Sequence, residues 1–159
     1  MEKNILYVKG DATAPVADGN KLIVHICNDM GRWGKGFVLA ISKKWKSPEK
    51  EFKAWYKSGN GYELGAVQFV QVEADIWIAN VIGQHSIYKD EEGMPPIRYN
   101  AIATGLEQVG AFAVEINASV HMPRIGCGLA GGTWDKIEPL IESGICNKTV
   151  PVTVYDYEC

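Results

Sequence analysis

Short apolar runs alternate along this chain with segments in which apolar positions recur every three or four residues. Asn4 to Val8 reads as a short strand ending at Gly10-Asp11. Leu22 to Cys27 (LIVHIC) is nearly continuous in apolar character, the pattern of a strand covered on both faces. After the glycine-rich stretch Gly31 to Gly36, the residues Phe37, Ile41 and Trp45 fall four apart on one face of a helix. Ser47-Pro48 predicts the start of a second helix through Tyr56, with Ser47 as N-cap and the proline in its first turn. Ala66 to Val72 and Ile76 to Ile82 read as a strand pair joined at Glu73-Ala74-Asp75, and the polar segment Gln84 to Pro96 as the longest loop. Ile102, Leu106, Val109 and Ala113 mark one face of a helix from Ile97 to Glu115, and Ser119 to Met122 is a further strand. Thr133 is placed to cap a helix bearing Trp134, Ile137, Leu140 and Ile141. Pro139 would clash in its interior, so a kink, or a start near Glu138, is expected. Val150 to Tyr155 is the last strand.

Strands separated by helices predict an α/β layered fold with a mixed sheet. In such sheets ligands sit beyond the carboxyl ends of the strands. That rule points to Asp11, Asn28 to Gly36, Gly83 to His85, Pro123 to Gly132 and the end of the last strand, where glycines and unusual polar residues also concentrate.

Composition narrows the partners. The 159 residues fit a single domain, 1–159, and a hydrophobic fraction of 47% can build its core without cross-links. Four cysteines (27, 127, 146 and 159) contain no CxxC pair and read as free thiols of a reducing compartment; flanking glycines leave Cys127 open as a thiol nucleophile. No His/Cys cluster has zinc-ligand spacing, so neither a metal nor a cofactor is expected. A net charge of −3 argues against binding a long nucleic acid. It leaves a small anion open, because backbone N–H groups and a helix terminus hold one with few lysines. The chain has no apolar stretch near the ~20 residues of a membrane helix. Met1 to Asn4 has no basic flank or signal-like core, which predicts an unexported, cytoplasmic protein without a membrane partner.

Two loops carry the candidate chemistry. Gly126-Cys127-Gly128-Leu129-Ala130-Gly131-Gly132 lies between a strand and a helix, where glycines let the backbone take positive φ and bring successive N–H groups against phosphate oxygens. Gly128 is the position singled out for positive φ. Gly31-Arg32-Trp33-Gly34-Lys35-Gly36 is a second such loop, also opening a helix, and Trp33 either covers a sugar ring or packs. Two loops facing one crevice suit a diphosphate with groups extending on both sides. The spacing matches neither the P-loop nor the dinucleotide fingerprint. His25 and His121, inside apolar runs, read as satisfied core histidines. His85, after Gly83-Gln84, is expected inside the crevice, where an imidazole can shuttle protons near neutral pH.

The combination of Val8-Lys9-Gly10-Asp11, His25-Ile26-Cys27-Asn28, Gly34-Lys35-Gly36 and Pro123-Arg124-Ile125-Gly126-Cys127-Gly128-Leu129 resembles a macro domain, from Ile5 to Tyr155. It looks closest to the branch holding the terminal ADP-ribose protein glycohydrolase and the yeast-type ADP-ribose-1″-phosphate phosphatase. The resemblance implies a three-layer α/β/α fold with a central mixed sheet flanked by helices, and a pocket for ADP-ribose. By motif match, Asp11 would accept a hydrogen bond from the adenine amine, Tyr155 would stack on adenine, and the Asn28 amide would lie near the distal ribose. The pocket would further be lined by Gly10 and Ala12, by Trp33-Gly34-Lys35-Gly36, by Gly83-Gln84, and by Pro123 with Ile125-Gly126-Cys127-Gly128-Leu129-Ala130.

One departure bears on chemistry. The glycohydrolase of this branch uses a lysine after its fourth strand and an aspartate after the Gly-Cys-Gly-Leu run. Here those places hold Gly83 or Gln84, and Ala130, so a lysyl adduct is not expected. The resemblance implies hydrolysis of an ADP-ribose derivative, ADP-ribose-1″-phosphate first and ADP-ribosyl or O-acetyl-ADP-ribosyl esters behind it, by a water that His85 or Asn28 orients. The partner would be that small molecule or an ADP-ribosylated macromolecule. The rival is a non-catalytic ADP-ribose-binding module, against which a stand-alone chain of this length weighs.

Overall fold

A computed structural model describes residues 5–156. Asn4, the N-terminal stretch behind the expectation of an unexported protein, and Cys159 lie outside the described residues. The elements follow in the order β1 (Ile5–Lys9), β2 (Asn20–Asn28), α1 (Phe37–Lys44), α2 (Ser47–Ser58), β3 (Val67–Glu73), β4 (Ile76–Gln84), α3 (Tyr99–Ile116), β5 (Ala118–Met122), α4 (Trp134–Gly144) and β6 (Val152–Asp156), with one 3₁₀ turn at Cys146–Lys148. The strands form one sheet in the order β1-β6-β5-β2-β4-β3, parallel throughout except for β3, which runs antiparallel to β4 at an edge.

The apolar run of β2 makes it a central strand: Leu22, Ile23 and Val24 are fully buried on alternating faces. Leu22, Val24, Val81 and Val120 pack against Ile102, Leu106, Ile137 and Ile141 of α3 and α4. On the opposite face Ile23, Ile78 and Ile82 pack against Ile41 of α1 and Phe52 of α2. The result is the expected three-layer α/β/α arrangement around a mixed sheet. No helix among the described residues is long and apolar enough to cross a membrane.

Local expectations shift at three places. Lys46, not Ser47, is the N-cap of α2, with Ser47-Pro48 as its first two residues, and the helix runs on to Ser58. Trp45 falls just past α1 as its C-cap, so the helix seats itself with Val38 and Ile41. Helix α4 begins at Trp134 and carries Pro139 inside it, so the late start near Glu138 does not occur. The missing N–H costs one hydrogen bond, while Ile137 and Ile141 on either side are fully buried and hold the helix down.

Candidate functional site

Because β1, β2, β4, β5 and β6 run parallel, their carboxyl ends open on one edge of the sheet. Two cavities lie there. The first, about 850 Å³, is bounded by residues 31–38 after β2, by Gln84 at the end of β4 with Ile87 and Tyr88 beyond it, and by Pro123 to Gly126 and Gly128 to Ala130 after β5. The second, about 700 Å³, lies between Gly10 to Thr13 after β1 and the flank of α1. Gly36, Phe37 and Pro123 line both, so the cavities meet at the N-terminus of α1.

That junction offers free backbone donors. Gly36 caps α1 at φ 84° with no side-chain cap, which leaves first-turn N–H groups directed at the junction. Across from it, the loop after β5 closes on itself through Cys127 N–H to Arg124 O, Gly131 N–H to Gly128 O and Gly132 N–H to Gly126 O. Among the described residues, the N–H groups of Gly126, Gly128, Leu129 and Ala130 have no acceptor. Such adjacent, unpaired amides form an anion cradle. The exposed Leu129 reaches toward Gly36, where a Cβ would sit 3.6 Å from its Cδ1, so the two glycine loops approach each other over the junction. Arg32, Lys35, Lys53 and Arg124 line the first cavity and no carboxylate does. Lys53 and Arg124 are ion-paired with Glu49 and Asp156, which leaves Arg32 and Lys35 as the lining cations without a carboxylate partner among the described residues.

Of the residues expected around the ligand, Gly34, Lys35, Gly36, Gln84, Pro123, Ile125, Gly126, Gly128, Leu129 and Ala130 line the first cavity. The left-handed positions of the second glycine loop are Gly126 (φ 73°) and Gly131 (φ 80°), not Gly128, whose absent Cβ faces open space. Gly83 is outside both linings and packs tightly: a Cβ there would stand 2.6 Å from Ile102 Cγ1. Cys127 is outside both linings, and burial pushes its thiol above the ordinary value, against the nucleophile reading. Cys27 and Cys127 are free thiols. Trp33 borders the cavity as a packing residue. It is buried, its Nε1–H donates to Ser42 Oγ (2.7 Å), and its ring abuts His25 and Phe52.

The two catalytic candidates are held by local structure. Asn28 lines the first cavity, but its Oδ1 accepts the N–H groups of Met30 and Arg32 and its Nδ2 donates to Arg32 O. The amide therefore shapes the turn, with one Nδ2–H remaining. His85 stands beside the cavity, not in its lining, with a 57% exposed side chain. Its Nδ1 lies 2.6 Å from Asp29 Oδ2, and Asp29 Oδ1 accepts the Ser86 N–H. Asp29 thus anchors the first residues after β4, a role the sequence did not expose.

In the second cavity Gly10, Asp11, Ala12 and Tyr155 come together. Asp11 Oδ1 accepts both the Thr13 N–H (2.8 Å) and the Thr13 hydroxyl (2.7 Å), and no donor among the described residues meets Oδ2. Tyr155 is 5% exposed, with its hydroxyl against His121 Nδ1 (2.8 Å) and the Val16 N–H, so its ring is a rigid wall. His121, as expected, is a satisfied core histidine, bonded also to Ser119 Oγ.

No family model matches the chain. In structure it is similar to a macrodomain protein from Streptomyces coelicolor, 53% identical with a TM-score of 0.85, over 97% of this chain and 99% of that one. In sequence it is 30% identical over 162 residues to the mouse chromodomain-helicase-DNA-binding protein 1-like, covering 96% of this chain. It spans only 18% of the length of that relative and 16% of its zebrafish counterpart. The ADP-ribose 1″-phosphate phosphatase of Candida albicans is 24% identical over 144 residues, 87% of this chain and 92% of the phosphatase.

Proposed function

The chain belongs to the macrodomain family, and on that premise we propose that it binds ADP-ribose along the two joined cavities and hydrolyses a derivative carrying a phosphate at the distal ribose. Adenine occupies the second cavity between Asp11 and Tyr155, the diphosphate lies at the junction, and the distal ribose fills the first cavity. The observation that carries this reading is the junction itself, where the unpaired amides of Gly126, Gly128, Leu129 and Ala130 lie across from the N-terminus of α1 beside two cavities of similar size. The finer choice of a terminal phosphate rests on Arg32 and Lys35, which have no carboxylate partner among the described residues, and on the absence of a carboxylate from the lining of the first cavity. The phosphatase relative supports the same choice.

The chemistry is attack of a water held in the first cavity on the terminal group, with the cations stabilising charge that develops there. Gln84 lines the cavity and its Nε2 donates to Ser86 O, which leaves Oε1 to orient that water. His85, held at the rim by Asp29, positions the segment that carries Gln84. With Ala130 in place of an aspartate, turnover proceeds without a lysyl adduct. A non-catalytic module is the second reading, favoured by one observation: the histidine that lines the first cavity, His25, is held neutral by burial, with its pKa pushed down to about 4.

Calorimetric titration tests binding. ADP-ribose is expected to bind more tightly than AMP, because the junction holds two phosphates and AMP offers one. Equal affinities would remove the two-loop argument. A phosphate-release assay on ADP-ribose-1″-phosphate then separates the readings, since tight binding with no turnover of any derivative leaves the module. Asp11→Ala is expected to weaken ADP-ribose by roughly 1–3 kcal/mol, the cost of leaving the adenine amine unpaired in an apolar cavity. An unchanged dissociation constant in a natively folded variant would return Asp11 to its turn.

A further inference from the structure

A polar row crosses the sheet beneath the first cavity. Gln68 of β3, Asn80 of β4 and His25 of β2 are register partners on the face covered by α1 and α2. Asn80 is fully buried and His25 is 2% exposed, among neighbours that are otherwise apolar. Replacing such a buried pair by apolar residues of similar shape is nearly neutral or stabilising, so stability does not account for it.

The proton positions in this row follow from one backbone carbonyl. Glu51 O can only accept, so the nitrogen facing it 3.0 Å away is Gln68 Nε2, acting as donor. Gln68 then turns Oε1 toward Asn80, whose Nδ2 donates to it at 3.0 Å. Asn80 in turn presents Oδ1 to His25, and the imidazole nitrogen there, Nε2, must carry the proton. His25 Nδ1 is left as an acceptor. Its neighbour is a weak one, the Cys27 thiol, whose Sγ lies 3.9 Å from Nδ1 and 3.7 Å from Nε2 and so is nearly equidistant from both.

We propose that Gln68 and Asn80 are positioning residues that lock His25 in its Nε2–H tautomer, so that Nδ1 accepts a hydrogen bond from an O–H donor of the ligand in the first cavity. Burial keeps the ring neutral, which preserves the acceptor. The O–H donor is a hydroxyl of the distal ribose, and in this respect the inference rests on the binding mode proposed above. The tautomer does not. It is set by Glu51 O whether or not a ligand is present.

Nitrogen-15 NMR of the imidazole reads both parts. In the free wild type at pH 7, Nε2 is expected in the protonated range and Nδ1 in the unprotonated range; the reverse assignment or an average of the two overturns the lock. Gln68→Leu, at a half-buried edge position, breaks the row and is expected to give a tautomer mixture and an ADP-ribose affinity weaker by about 5-fold. Gln68→Glu keeps an acceptor for Asn80 Nδ2 and is expected to restore the single tautomer. A single tautomer in Gln68→Leu, or undiminished affinity despite a mixture, sinks the proposal. Saturation with ADP-ribose is expected to shift the Nδ1 resonance, whereas AMP, lacking the distal ribose, leaves it in place. If ADP-ribose binds and Nδ1 does not move, this inference falls alone. If ADP-ribose does not bind, the binding mode falls and the ligand contact with it.

Discussion

Gly128→Val is expected to melt at the wild-type temperature and to lose ADP-ribose affinity by at least about 10²-fold. The two halves of that outcome have separate causes. A Cβ at Gly128 meets nothing within 4 Å and the residue is outside the left-handed region, so the fold has no reason to resist the substitution. The same open space borders the first cavity beside the unpaired N–H groups of Gly126, Gly128, Leu129 and Ala130. A branched side chain there stands where phosphate oxygens would. Hydrogen bonds to a charged group contribute roughly 1.5–3 kcal/mol each, so losing two costs on the order of 10²-fold or more. Gly126→Val makes the contrast: at φ 73°, with a Cβ 2.8 Å from Ile97 Cδ1, it is expected to lower the melting temperature as well. Wild-type affinity in a natively melting Gly128→Val protein would reduce the loop to a connector.

The contrast between these two glycines marks how far the sequence can be read. Four glycines in seven residues between a strand and a helix announce a loop built for close backbone approach, but not which of them takes positive φ. That depends on where the loop closes, and here it closes through Gly126 O and Gly128 O. Periodicity locates the six strands to within a few residues because β2, β4 and β6 bury both faces, and a continuous apolar run between turn residues fits little besides a buried strand. Pro139 escapes the local rule against interior prolines because that rule omits the burial of Ile137 and Ile141, which holds α4 in place around it. Asp29 and Thr13 are illegible in the sequence because each acts through a contact to a residue whose position is set by the turn it belongs to. His25 reads correctly as a core residue, yet its place in the cavity wall does not show. The available signal is a polar residue inside LIVHIC matched by Asn80 inside the apolar Ile76 to Ile82 run, two breaks in pattern that fall opposite each other once β2 and β4 pair.

Acid should destabilise this protein well before its carboxylates protonate. Burial pushes both His25 and His121 down to about 4, with the Lys21 ammonium adding to the effect at His121. Both rings titrate near 6.5 in the unfolded chain. Between those values the unfolded state binds more protons than the folded one, so stability is fully present above pH 6.5 and is lost as pH falls toward 4. Each histidine accounts for about 2 kcal/mol between pH 7 and pH 5, and the pair for on the order of 4 kcal/mol. The ion-paired carboxylates of Glu49, Asp75 and Asp156 are held below their ordinary range by Lys53, Lys21 and Arg124, so they add to the loss only at lower pH. Denaturant unfolding at pH 7, 6 and 5 measures this directly, and the slope near pH 5.5 should correspond to uptake of close to two protons. While the protein remains folded, His25 stays neutral over the same range, so ADP-ribose affinity is expected to hold nearly constant from pH 7 to pH 5.5 as stability falls. A flat stability profile, or one rising toward acid, would mean that the two rings accept protons in place and that the buried row under the first cavity does not hold His25 neutral.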